Sequence, residues 1–109
     1  MIAYKNFNSL KTGQPVLARE LLDNVSEGEW MNEEIYYYDS LENFAYNELT
    51  EGWYAALDCG LGRQDFNGAP NPLDYIDLTE LGTDLSNSWD DSCHFLSSQN
   101  QVLETSHGW

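Results

Sequence analysis

A chain of 109 residues with 41% apolar and 14% aromatic content has room for one core and enough apolar mass to fold, unlike an acidic disordered tail. Its net charge of −15 repels nucleic acid and anionic membrane surfaces alike, which argues against direct DNA or RNA binding. No apolar run approaches the roughly 20 residues of a membrane span, the first residues lack the apolar core of a secretory signal, and two cysteines are too few for a disulfide framework. The expectation is therefore one acidic globular domain over residues 1–109, cytoplasmic, with reduced thiols.

The charge is unevenly placed. Residues 1–19 carry Lys5, Lys11 and Arg19 and no acid, whereas from Glu20 onward nineteen acids face Arg63 alone. Ile2 to Phe7 reads as a short strand, closed by a turn at Thr12-Gly13. Pro15 suits the first position of a helix, where its missing N–H costs nothing. On a helical wheel counted from Val16, residues Leu17, Ala18, Leu21, Leu22 and Val25 share one arc, and Glu20, Asp23 and Glu27 lie opposite. The polar stretch Ser26-Glu27-Gly28-Glu29 ends that helix, and Ile35-Tyr36-Tyr37-Tyr38 has the composition of a strand, with aromatic helix as the alternative.

Asp39-Ser40 offers an N-cap for a second helix in which Leu41, Phe44, Ala45 and Leu49 recur at helical spacing. Glu48 falls inside that apolar arc and must snorkel or lie near its end. Trp53, Tyr54, Ala56 and Leu57 continue a helix or start another, with Gly60 and Gly62 as a stop. Arg63 to Pro72 reads as a loop, and Asn71-Pro72 opens a helix over Leu73 to Leu81 that Gly82 terminates. Cys93 to Leu96 and Gln101 to Glu104 pair as a hairpin across Ser97 to Asn100. These elements make an α+β domain, helices in the majority with a few short antiparallel strands.

Motifs for chemistry fail on spacing. Gly60-Leu61-Gly62 is followed by Arg63-Gln64-Asp65 and lacks the Lys and Ser or Thr of a phosphate loop. Asp65-Phe66-Asn67-Gly68 begins like a calcium loop but has Pro70 at the required glycine and Ile76 at the required glutamate. Cys59, Cys93, His94 and His107 match no paired zinc spacing, and Cys93 with His94 would project to opposite faces of a strand. No catalytic residue, cofactor or metal is expected.

Carboxylate placement remains, in three groups. Glu20, Asp23 and Glu27 line one helical face; Glu27, Glu29, Glu33 and Glu34 crowd the approach to the tyrosines; Asp74, Asp77, Glu80 and Asp84 repeat at helical spacing. Acids three or four residues apart lie about 4.5 to 6 Å apart along a helix, on the scale of the roughly 3.4 Å between phosphates along one DNA strand. Acids opposite an apolar stripe also serve simply as a solvated face, but solubility is met by a net charge of about 2 to 8 in a small domain. Consecutive tyrosines cannot all face inward on a strand, so Tyr37, or Tyr36 with Tyr38, is expected at the surface as an anchor among the acids.

In size, charge, the tyrosine-rich acidic stretch Glu29 to Glu51 and the lack of catalytic motifs, the chain resembles the small acidic inhibitors of phages and mobile elements, the DNA-mimic anti-restriction and anti-CRISPR proteins. That resemblance implies a non-enzymatic inhibitor occupying the nucleic-acid site of a host nuclease or CRISPR effector. The competing expectation is an acidic structural or adaptor protein of a phage or mobile element that binds through an aromatic surface.

Overall fold

A computed structural model describes residues 1–52 and 72–109. Four short strands, β1 (Ile2–Tyr4), β2 (Ile35–Tyr38), β3 (His94–Leu96) and β4 (Val102–Glu104), form one antiparallel sheet in the order β1-β2-β4-β3. The register sets Tyr37 opposite Ile2 on one side and Leu103 on the other, and pairs His94 with Glu104. Side chains alternate across a strand. Ile35, Tyr37 and Leu103 accordingly join one buried cluster with helices α1 (Phe7–Gly13) and α2 (Pro15–Asn24). Tyr38 and Val102 join a second with α3 (Leu41–Thr50) and α4 (Leu78–Ser88). The result is an α+β domain in which helices dominate and cover both faces of the sheet.

That double coverage corrects the expectation for the tyrosines. Tyr37 is only 7% exposed and Tyr38 3%, because a sheet packed on both faces has no solvent side for either parity of the run. Tyr37 meets the Tyr4 ring edge-on at 6.1 Å, and its hydroxyl accepts a hydrogen bond from Gln101 Nε2 at 3.2 Å. It is a core residue and not a partner anchor.

The helices form where caps and apolar spacing agree. Pro15 opens α2, and Leu17, Ala18 and Leu21 are buried as the wheel requires. The Ser40 side chain accepts from Asn43 N to start α3, which buries Phe44, Ala45 and Leu49. Glu48 is buried with them, at 6% exposure. Helix α1 replaces the expected end of the first strand and turn: Asn6 Oδ1 accepts from Ser9 N at 3.0 Å, and Phe7 and Leu10 then point inward one turn apart.

The second half of the chain departs further from expectation. A 3-10 turn over Pro72–Tyr75 precedes α4, whose N-cap is Asp77, with Oδ1 accepting from Glu80 N at 3.0 Å. The single helix expected over Leu73 to Leu81 is therefore two elements. Gly82 does not stop α4 but lies buried inside it, where α4 crosses the start of α3. The hairpin between β3 and β4 is as expected, with Asn100 in the left-handed region (φ 61°) that Asn tolerates. The helix over Trp53 to Leu57, its glycine stop, the loop from Arg63 and the Asn71 cap lie outside the described residues, as does Cys59.

Gly82 gives a sharp stability test. A Cβ there would come within 2.5 Å of the Leu41 carbonyl oxygen, which is backbone and cannot swing aside. Helix propensity alone favours Ala by about 1 kcal/mol, but overpacking costs about 1 to 3 kcal/mol, so the clash decides the sign. Gly82→Ala should lower the urea midpoint, whereas Thr83→Ala on the exposed side should leave it nearly unchanged.

Candidate functional site

The fold sorts the carboxylates into those held by the protein itself and those left to solvent. Glu20 belongs to the first class: its two oxygens accept from Ser98 N at 2.7 Å and Ser98 Oγ at 3.0 Å, tying the β3–β4 turn to α2. Asp77 caps α4, and Glu42 accepts from Thr79 Oγ1 at 2.8 Å, joining α3 to α4. Of the residues expected to contact a partner, Glu20 and Asp77 thus have internal work, and Tyr37 is buried.

The second class holds the rest. Asp23, Glu27, Glu29 and Glu34 are exposed and Glu33 is half-buried. Among the described residues, none of these carboxylates has a hydrogen bond or ion pair. Asp23 and Glu27 border one shallow depression, although α2 ends at Asn24 and Glu27 lies beyond it, so Glu20, Asp23 and Glu27 are not one continuous helical stripe. Glu29 sits in the first turn of a 3-10 helix, Glu29–Asn32, that leads to Glu33, Glu34 and β2. At the other side of the sheet, Glu80 and Asp84 stand one turn apart on the exposed face of α4, and Asp74 lies on the preceding 3-10 turn. The expected run of four acids on one helix is therefore a pair on α4 with Asp74 set apart.

A polar cluster that sequence reasoning missed lies between the sheet and α3/α4. His94, 7% exposed, points its Nδ1 at the Asp90 carbonyl oxygen (3.0 Å) and its Nε2 at Glu104 Oε2 (2.9 Å). Both neighbours accept, so the two bonds form together only when both ring nitrogens carry protons. Its ring stacks on Trp89 at 4.9 Å with an 11° interplanar angle, and Phe44 meets it edge-on at 5.8 Å. Glu104 Oε1 accepts from the Tyr38 hydroxyl at 3.1 Å. Cross-strand pairing of His94 with Glu104 was the one signal available in the sequence, once the hairpin register is set.

The proton affinities follow. Burial opposes the charge on His94, but the Glu104 hydrogen bond, the Asp90 carbonyl and the carboxylates of Glu104 and Glu48 outweigh it and raise its pKa. Burial, then Glu104, raises that of Tyr38. Cys93 lies in the turn before β3, not on the strand, and its Sγ comes within 3.4 Å of His94 Nδ1. This is closer than the strand geometry allowed, although Nδ1 also faces the Asp90 carbonyl oxygen at 3.0 Å. Burial and the nearby Asp90 and Glu104 push the thiol pKa up, the opposite of nucleophile activation.

Among the described residues no group of three or more His, Cys, Asp and Glu side chains is placed to hold a metal ion, and no helix is long and apolar enough to cross a membrane. Compared with protein-family models, curated proteins and solved structures, the chain matches none of them.

The His94 cluster predicts a pH dependence. A histidine whose pKa is raised on folding stabilises the fold fully below its unfolded value, about 6.5, and loses that contribution as pH rises through its folded value. Below pH 6.5 the His94→Gln variant should be less stable than the wild type by about 1.5 to 3 kcal/mol, the range for hydrogen bonds to charged groups. That difference should shrink toward alkaline pH, and chemical denaturation across a pH series measures it.

Proposed function

We propose that this chain is a non-enzymatic inhibitor that occupies the positively charged nucleic-acid site of a host defence protein, such as a nuclease or CRISPR effector, by DNA mimicry. The observation that carries the reading is the set of carboxylates with no side-chain partner among the described residues: Asp23, Glu27, Glu29, Glu33 and Glu34 on one side of the sheet, Asp74, Glu80 and Asp84 on the other. Unpaired acids on a well-packed scaffold keep their full charge for a cationic groove and lose little freedom on binding. The rigid backing is the sheet, covered on both faces. Glu20 and Asp77, spent on the β3–β4 turn and the α4 cap, support the arrays and do not contact the partner. An acidic adaptor of a phage or mobile element is the second reading, favoured by Tyr46 and Tyr75, which are 46% and 75% exposed.

Capture at low salt from a host lysate, followed by elution with duplex DNA, separates the two. A mimic releases its partner to DNA and loses it on Glu80→Lys/Asp84→Lys or Asp23→Lys/Glu27→Lys. An adaptor keeps its partner through both, and loses it on Tyr46→Ser or Tyr75→Ser.

A further inference from the structure

The basic end of the molecule carries a feature that an inhibitor of cationic sites does not use. Helices α1 and α2 enclose an open cleft of about 560 Å³ with Phe7, Val16 and Leu22 among its apolar lining and Lys11 and Arg19 beside them. Val16 is 78% exposed. Among the described residues neither Lys11 nor Arg19 makes an ion pair, and both are exposed; the one acid lining the cleft, Asp23, bonds to neither. An apolar trough flanked by unpaired cations matches a projecting apolar side chain flanked by carboxylates.

The same chain displays such a group. Tyr75 is 75% exposed at the end of the Pro72–Tyr75 turn, with exposed Asp74 beside it and exposed Asp77 two residues on. We infer that the α1–α2 cleft receives Tyr75 of a second copy of this chain, with Asp74 of that copy meeting Lys11 and Arg19. The contact joins two different patches. It gives a two-fold dimer where both copies dock reciprocally, and a head-to-tail chain where they do not.

The charge on each copy gives this contact an unusual salt response. At low ionic strength two bodies of −15 repel over long range, whereas physiological salt screens charges more than about 8 Å apart and leaves the local cation–carboxylate meeting. Self-association therefore strengthens as salt rises from low to physiological levels. Binding to a cationic partner weakens over the same range, so the failure of either idea is distinguishable from failure of the other.

Sedimentation equilibrium on the full chain tests it. Concentration-dependent association at physiological salt is expected, weakened about tenfold or more, equivalent to about 1.4 kcal/mol, by Tyr75→Ser alone and by Lys11→Glu/Arg19→Glu alone. All three positions are exposed, so folding is preserved, which circular dichroism checks. An equimolar mixture of the two variants keeps one intact cleft and one intact tyrosine and should recover a heterodimer. A monomer at all concentrations overturns the inference, as does association that these variants leave unchanged. Saturable binding of laurate or of a short acidic tyrosine peptide to a chain that stays monomeric would also overturn it, assigning the cleft to another occupant.

Discussion

Because β2 and β4 sit in the middle of the sheet with helices on both faces, every side chain they carry must find its partner inside the protein. Tyr37 and Leu103 do so against α1 and α2, and Tyr38 and Val102 against α3 and α4. Glu104, whose side chain is 25% exposed, is the partly desolvated carboxylate among them. The His94 ring and the Tyr38 hydroxyl bond to its two oxygens, and Trp89 and Phe44 pack around the His94 ring. Removing Glu104 costs more than removing its partner would, because it leaves the buried His94 without that bond, whereas Glu104 keeps Tyr38 and some solvent.

The same constraint shapes the outer surface. With the sheet closed on both sides, most carboxylates fall on helix exteriors and turns, and self-repulsion favours spreading them. The protein offsets part of that repulsion by giving selected acids donors of its own, as Ser98 gives Glu20 and the α4 backbone gives Asp77. What remains unpaired after this sorting is a smaller set than composition suggests, concentrated where α2 runs into the Glu29–Asn32 turn and along α4. The proposed inhibitory surface is that remainder.

Much of the fold was legible in local signals. Pro15, Ser40 and the apolar spacing behind them mark α2 and α3, and the turn residues between Leu96 and Gln101 mark the hairpin. Non-local packing was not legible. Nothing near Tyr37 reveals a second helical layer across the sheet, and nothing near Gly82 reveals that α3 will pass close enough to require the absence of a side chain. Asn6 was a readable cap, overlooked because Ile2 to Phe7 also suits a strand. Glu20 and Asp77 look like their neighbours in sequence, and only the positions of Ser98 and of the α4 start separate them from acids free to meet a partner.

In the proposed function, unpaired carboxylates and not the apolar surface carry recognition of a basic nucleic-acid-binding partner. A salt series of calorimetric titrations against the partner recovered by low-salt capture measures this most directly. Affinity should fall steadily with rising salt, and less steeply once Glu80 and Asp84 are reversed to lysine, since fewer charges are then engaged. An affinity unchanged from low to high salt would contradict it.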